Sequence, residues 1–266
     1  MQTSFDRAVL GRTGVEVGRL GISASYGVPT AAVEEAFDKG VNYLYWGSAR
    51  TGKFGQALRN LRPQRDRIVL VLQSYSRVGG LVGWSIERAL RKIGYDCADV
   101  LLLGMWNKPV PRRILDAAKE AQRRGLVRWL AVSTHKRTQV AALGSDFDIV
   151  HFRYNAVHIG AERDIFPQVT YGWPGLVSFT ATSWGQLLKS KRIPAGERRP
   201  TATDAYRFVL TRPEVDVCLT GPSNAAHSAE ALRALELGPM TEDELAWMRR
   251  VGEAIYGKKQ KAASAH

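Results

Sequence analysis

This chain has little sulfur, a deficit of acid and no long apolar stretch. Cysteine occurs twice, at Cys97 and Cys218, in apolar surroundings and without metal-ligand spacing. That excludes a disulfide framework and a cysteine metal centre, and reads as two core thiols in a reducing compartment. No run of about 18 uncharged apolar residues exists, which excludes a transmembrane helix. The first dozen residues, Met1 to Arg12, lack the apolar core of a signal peptide, so the expected compartment is the cytoplasm. Acid is scarce: 25 Asp and Glu stand against 38 Lys and Arg, a formal net charge of +13.

What is present is an ordinary globular composition, 45% apolar and 24% charged, over 266 residues. That length fits two domains, or one α/β barrel of roughly 250 residues. The positive charge points to anionic partners: nucleic acid, a membrane surface or phosphorylated small molecules. The cations are scattered, however. One group, from Arg112 to Arg124, follows a helical pattern in which pairing with acids explains it. Another, Lys189, Lys191, Arg192, Arg198 and Arg199, lies in a Gly/Pro-interrupted stretch that reads as a loop able to close over phosphates. Because the charges interleave with acids and no base-stacking motif accompanies them, nucleic acid is not the expected partner. A small-molecule substrate is. The oligomeric state is not legible.

Apolar runs bounded by turn signals recur along the chain. The strands expected are Leu20–Ser23, Val41–Trp46, Ile68–Gln73, Val100–Leu103, Val127–Ser133, Ile149–Tyr154, Leu176–Thr180 and Val215–Thr220. They lack strict alternation, as parallel strands buried on both faces do. Helical patterns separate them, at Ala31–Lys39, Gly52–Asn60, Gly83–Ile93, Pro111–Arg124, Arg137–Leu143, Thr203–Thr211, Ala225–Glu236 and Glu242–Tyr256. Several end at a C-capping glycine, and Thr241 with Glu244 spells a capping box. Eight such units predict a single-domain (β/α)8 TIM barrel over residues 1–266, with residues 257–266 a flexible tail.

Sites of such barrels lie at the C-terminal ends of the strands. The residues expected there are aromatic and polar, with no carboxylate pair for glycoside hydrolysis or a divalent cation. His135 and His151 lack a third ligand, so no metal is expected. Tyr26, Trp46, Tyr75, Trp106 and His135 are candidates for a substrate pocket, with Trp184 a further wall. Arg153 beside His151 reads either as a buried structural pair or as an anion contact.

Leu10-Gly-Arg-Thr-Gly-Val-Glu-Val-Gly-Arg-Leu-Gly21, Gly40-Val-Asn-Tyr-Leu-Tyr45, Asp99-Val-Leu-Leu-Leu-Gly104, Gly125-Leu-Val-Arg-Trp-Leu-Ala-Val-Ser133, Arg153-Tyr-Asn155 and Thr220-Gly-Pro-Ser-Asn224 occur in this order. The series resembles the aldo-keto reductases. The resemblance implies a barrel with an N-terminal β-hairpin and an extra C-terminal helix, binding NADP(H) and passing hydride to a carbonyl. It also implies an Asp, Tyr, Lys and His tetrad, and here the chain departs at every position. Tyr45 stands for the Asp, Arg50 for the Tyr, Gln73 for the Lys and Gly104 for the His. The Lys and Asp vanish together, leaving neutral Tyr45 and Gln73 able to share a hydrogen bond, where losing one alone would strand a charge.

Tyr45, Arg50, Gln73 and His151 are therefore the candidate catalytic residues. For the cofactor, the resemblance points to Ser133, Thr134 and His151 at the nicotinamide carboxamide and Phe179 beneath the ring. Thr180 is a further cofactor-binding candidate, and Gly221, Ser223 and His227 are expected at the phosphates, under cover from Lys189, Lys191 and Arg192; the adenine contact is replaced by Ala231. Two other readings stay open. One is a catalytically silent barrel that binds nucleotide or a partner, the other a barrel repurposed for non-redox chemistry.

Overall fold

The computed structural model describes residues 5–47, 52–143 and 146–263. A hairpin, β1 (Ala8–Val9) and β2 (Glu16–Val17), leads into β3 (Leu20–Ser23). Then come α1 (Thr30–Asp38), β4 (Tyr43–Trp46), α2 (Gly52–Asn60), β5 (Val69–Ser74), α3 (Gly79–Ile93), β6 (Ala98–Leu103), α4 (Arg112–Arg123) and β7 (Val127–Thr134). The second half carries α5 (Val140–Leu143), β8 (Ile149–Arg153), α6 (Ala161–Asp164), β9 (Gly175–Phe179), α7 (Gln186–Lys189), α8 (Ala202–Leu210), β10 (Val217–Thr220), α9 (Ala225–Leu237) and α10 (Glu242–Ala263). Strands β3 to β10 pair in parallel and close into a barrel through β10 on β3. Three expected strands start late, each because a turn takes the first residues, and at β5 the Ile68 N–H bonds the Arg65 carbonyl. The Val41 N–H closes the end of α1 on the Ala36 carbonyl, and the Val215 N–H bonds the Arg212 carbonyl.

Closure fixes which side chains face in. Tyr43, Tyr45, Val71, Leu102, Ala131, Ile149, Val177 and Val217 pack together inside, and Leu10 and Val17 from the hairpin region join the same cluster. The alternate residues Leu44, Trp46, Leu72, Leu101 and Phe152 belong to the larger cluster shared with the helices.

At the N-terminal end a repeated device holds the strands in register. Asn42, Asp99, Asp148 and Asp216 accept the N–H groups of Gly18, Leu70, Leu130 and Leu176, at 2.9, 2.7, 3.0 and 2.8 Å. Each belongs to the start of one strand and captures a donor at the start of the strand before it. Burial raises the Asp216 pKa to about 6 despite these donors and Arg19. The capping box at Thr241 is present: Thr241 N–H donates to Glu244 (2.9 Å) and Glu244 N–H to the Thr241 hydroxyl (3.2 Å).

Glu244 has a second duty. Arg207 on α8, almost fully buried, donates to both its carboxylate oxygens (2.6 and 2.9 Å) and to the carbonyls of Gly238 and Pro239 (2.8 and 3.0 Å). This guanidinium ties α8 to the loop between α9 and α10. Arg207→Met strands one carboxylate and two carbonyls at once. The expected loss is about 3–5 kcal/mol of unfolding free energy, measured by urea denaturation; a change under about 1 kcal/mol would show that solvent replaces the clamp.

Candidate functional site

The C-terminal mouth of the barrel holds a cavity of about 730 Å³. Its floor is made by inward-facing strand residues: Tyr45, Gln73, Leu102, Ser133, His151 and Leu219. Its walls come from the loops, with Tyr26, Tyr75, His135, Phe179, Trp184 and Gly221 the principal surfaces. No Lys, Arg, Asp or Glu stands among the described residues that line it. The ionisable groups of the mouth are histidines and tyrosines.

Tyr45 and Gln73 meet as the sequence suggests: the phenol donates to the amide oxygen, and both side chains are buried. Burial pushes the Tyr45 pKa far above that of a free phenol, with Tyr75 adding to it. Gly104 makes room for this arrangement. A Cβ there would lie 2.3 Å from the Gln73 amide nitrogen and 2.5 Å from the Tyr75 ring. The space where the resemblance implies a histidine is thus filled by Gln73 and Tyr75. Gly221 works alike on the far wall, where a Cβ would meet the Tyr26 ring at 2.6 Å.

His151 is fully enclosed and shares a 2.8 Å hydrogen bond with the Tyr43 hydroxyl. Burial lowers its pKa to about 3, so the ring is neutral above acid pH and belongs to a fixed interior pair. Ser133 accepts the Met105 N–H at 2.8 Å through its hydroxyl oxygen, which leaves the hydroxyl proton for a ligand. Phe179 and His135 meet edge to face at 5.2 Å. Thr180, at φ +61°, lines the cavity, as do Ser223 and His227, whose side chains bond each other at 2.9 Å.

Several expected residues stand elsewhere. Trp46 faces outward by strand alternation; its ring lies against Gly55 of α2, with no exposed surface. Trp106 is held under the Arg77 guanidinium, 3.8 Å from its ring centre, while Arg77 donates to the carbonyls of Gly104 and Met105. Thr134 points away from the mouth for the same parity reason, its hydroxyl paired with Asn107 and accepting the Lys136 N–H. Lys189, Lys191 and Arg192 do not line the cavity: both lysines are exposed, and Arg192 donates to the Ile255 carbonyl. The neighbouring arginines act as staples. Arg198 grips Asp204 through two bonds (2.7 and 2.9 Å), and Arg199 holds the carbonyls of Leu188 and Ser190. Arg50 lies outside the described residues.

The sequence reading missed Leu102, Met105, Thr182, Tyr206 and Leu219. Inward parity would have found Leu102 and Leu219. Tyr206 sits on a helix, where no strand-end rule applies, and its hydroxyl is hydrogen-bonded by the backbone of Gly221.

The family model described as "Aldo/keto reductase family" matches residues 30–195. Among solved structures, the fold is similar to aldo-keto reductase AKR11C1 from Bacillus halodurans in its holo form, with a TM-score of 0.77 at 19% identity. The apo form of that protein gives 0.75 at 18%. Each alignment covers 93% of this chain and 96% of the other. At such identity the likeness speaks to the fold, and the family match over more than half of the sequence carries the kinship. This chain belongs to the aldo/keto reductase family.

Proposed function

We propose that this chain is an NADP(H)-binding oxidoreductase that reduces a carbonyl in the barrel mouth, with the Tyr45 phenol as proton donor. Aldo-keto reductases generally use NAD(P)H. The observation that carries the reading is the neutral Tyr45–Gln73 pair, seated over Gly104 at the floor of the cavity. Among the described residues that line it the floor carries no Lys, Arg, Asp or Glu, and its phenol and imidazole are hydrogen-bonded.

The residues present fit the cofactor. The free proton of Ser133 can meet a carboxamide oxygen, and Phe179 offers an aromatic face on the adjoining wall. The start of α9, with Asn224 capping the His227 N–H at 2.9 Å, presents a helix N-terminus beside Gly221 and Ser223 for a phosphate. When bound, the reduced nicotinamide would supply hydride to the carbonyl carbon. Tyr45 keeps its proton on oxygen through the neutral and alkaline range and can release it to the alkoxide oxygen as that forms. Gln73 fixes the phenol and takes no charge itself. With no cation lining the cavity among the described residues, the phenol is a weak acid, so slow turnover is expected.

A second reading, a barrel that binds nucleotide without turnover, draws on the same bond, because the Tyr45 proton is committed to Gln73. Tyr45→Phe separates the two. Under the first reading it leaves NADPH affinity within about twofold and lowers kcat by about 10² or more. Nicotinamide fluorescence and absorbance follow the two quantities. If neither NADPH nor NADH binds at tens of micromolar, or if Tyr45→Phe leaves turnover intact, the proposed role of Tyr45 fails.

With His151 lowered to about 3 and Tyr45 raised beyond the alkaline range, neither floor group titrates near neutrality. The expected kcat profile is flat from pH 7 to 9; a limb inside that window would name a different acid. Gly104→Ala drives a methyl into the Gln73 amide. Its expected cost is about 1–3 kcal/mol in a thermal or urea melt, together with a loss of activity like that of Tyr45→Phe.

A further inference from the structure

Above the neutral floor, in one corner beside the mouth, stand polar atoms with nothing to bond, two of them on residues, Arg153 and Ser183, that do not themselves line the cavity. Arg153 ends β8, and its register partner is Phe179 on β9. By alternation from His151, it stands at an inward position, directly above that layer. His135 and Phe179 occupy the same level on either side, above Ser133 and Val177. The Arg153 guanidinium lies 6.0 Å from the Trp184 ring centre, and His135 lies 6.5 Å from the same ring. His135, Phe179 and Trp184 all line the cavity.

Arg153 has no carboxylate. Its Nε is buried without a hydrogen-bond partner, and no ion pair links it to any described residue. Arg137, which already holds Asp164 at 3.0 Å, repels it. Two further buried atoms in this corner are also unpartnered, His135 Nδ1 and the hydroxyl of Ser183. Ser183 is fully enclosed and, with Trp184, adopts positive φ (+52° and +55°). Leaving the Arg153 Nε buried and unbonded is costly, and an incoming oxyanion would satisfy it.

We propose that Arg153, with His135 at the edge of the cavity, receives the carboxylate of the substrate, so that the carbonyl compounds accepted by this mouth are anionic. This rests on the reading that carbonyl reduction occurs there. The alternative source of an oxyanion is the cofactor diphosphate, and the test separates them.

Binding is measured calorimetrically without cofactor, using 4-(hydroxymethyl)benzoate and its neutral counterpart 4-methylbenzyl alcohol, on wild type, Arg153→Gln and Arg153→Lys. NADPH affinity is measured alongside. The carboxylate is expected to bind wild type at least about tenfold tighter than the neutral alcohol. Arg153→Gln should abolish that preference, Arg153→Lys should keep part of it, and NADPH affinity should stay within about twofold in every variant. KM for 4-carboxybenzaldehyde should rise in Arg153→Gln while KM for 4-methylbenzaldehyde does not. The proposal is overturned if wild type shows no preference, or if the preference survives in Arg153→Gln. It is equally overturned if Arg153→Gln weakens NADPH by the same factor as the benzoate, which assigns the corner to the diphosphate. A chain that binds no NADPH yet keeps an Arg153-dependent preference refutes the cofactor reading and leaves the anion site standing.

Discussion

Everything in the mouth depends on the parity of a closed parallel barrel. Once β10 joins β3, each strand residue is committed to the interior or to the helices, and a slip of one residue would exchange the two sets. Tyr45 and Gln73 can meet only because both fall on inward positions of neighbouring strands, and His151 meets Tyr43 across the barrel for the same reason. The side chains of Asn42, Asp99, Asp148 and Asp216 enforce this from the opposite end by catching a backbone donor of the preceding strand. Chemistry at the top of the barrel is positioned by hydrogen bonds at the bottom.

Within that frame the floor is neutral and closely fitted. A buried carboxylate and ammonium would have to stay paired to offset their desolvation. Tyr45 and Gln73 carry no charge and satisfy each other, while Gly104 yields the volume that the amide and the Tyr75 ring occupy. The substitutions are coupled through space. Adding a side chain at 104 without shrinking residue 73 or 75 produces a clash, and removing Gln73 leaves the phenol unpartnered.

Much of this was legible from residues alone because it follows from short-range rules. Eight apolar runs, glycine helix ends and the Thr241–Glu244 box report local backbone preferences, and the barrel follows from their count. The Tyr45–Gln73 contact was readable because both sit at strand ends and their chemistry is complementary. Trp46 and Thr134 misled for one reason, that nearness to a strand end does not say which face a side chain takes, whereas Trp106 lies beyond the end of β6, where alternation no longer applies and Arg77 covers its ring. The basic loop misled differently. Arg192, Arg198 and Arg199 look free in sequence, but their partners Ile255, Asp204, Leu188 and Ser190 become neighbours only through tertiary packing.

That last point changes the meaning of the large positive charge. Many of its arginines serve as internal clamps on backbone carbonyls: Arg12 on Phe147, Arg19 on Val215, Arg65 on Cys97, Arg77 on Gly104 and Arg207 on Gly238. A guanidinium suits this work because its fork of donors reaches several acceptors at once without needing a carboxylate. A protein built this way accumulates cations without directing them at a ligand, and the cavity lined by uncharged residues agrees with that use. Net charge is then a poor guide to partners. The informative quantity is a buried cationic donor left without an acceptor or an ion pair among the described residues, and Arg153, with its buried Nε unbonded beside the mouth, meets that description.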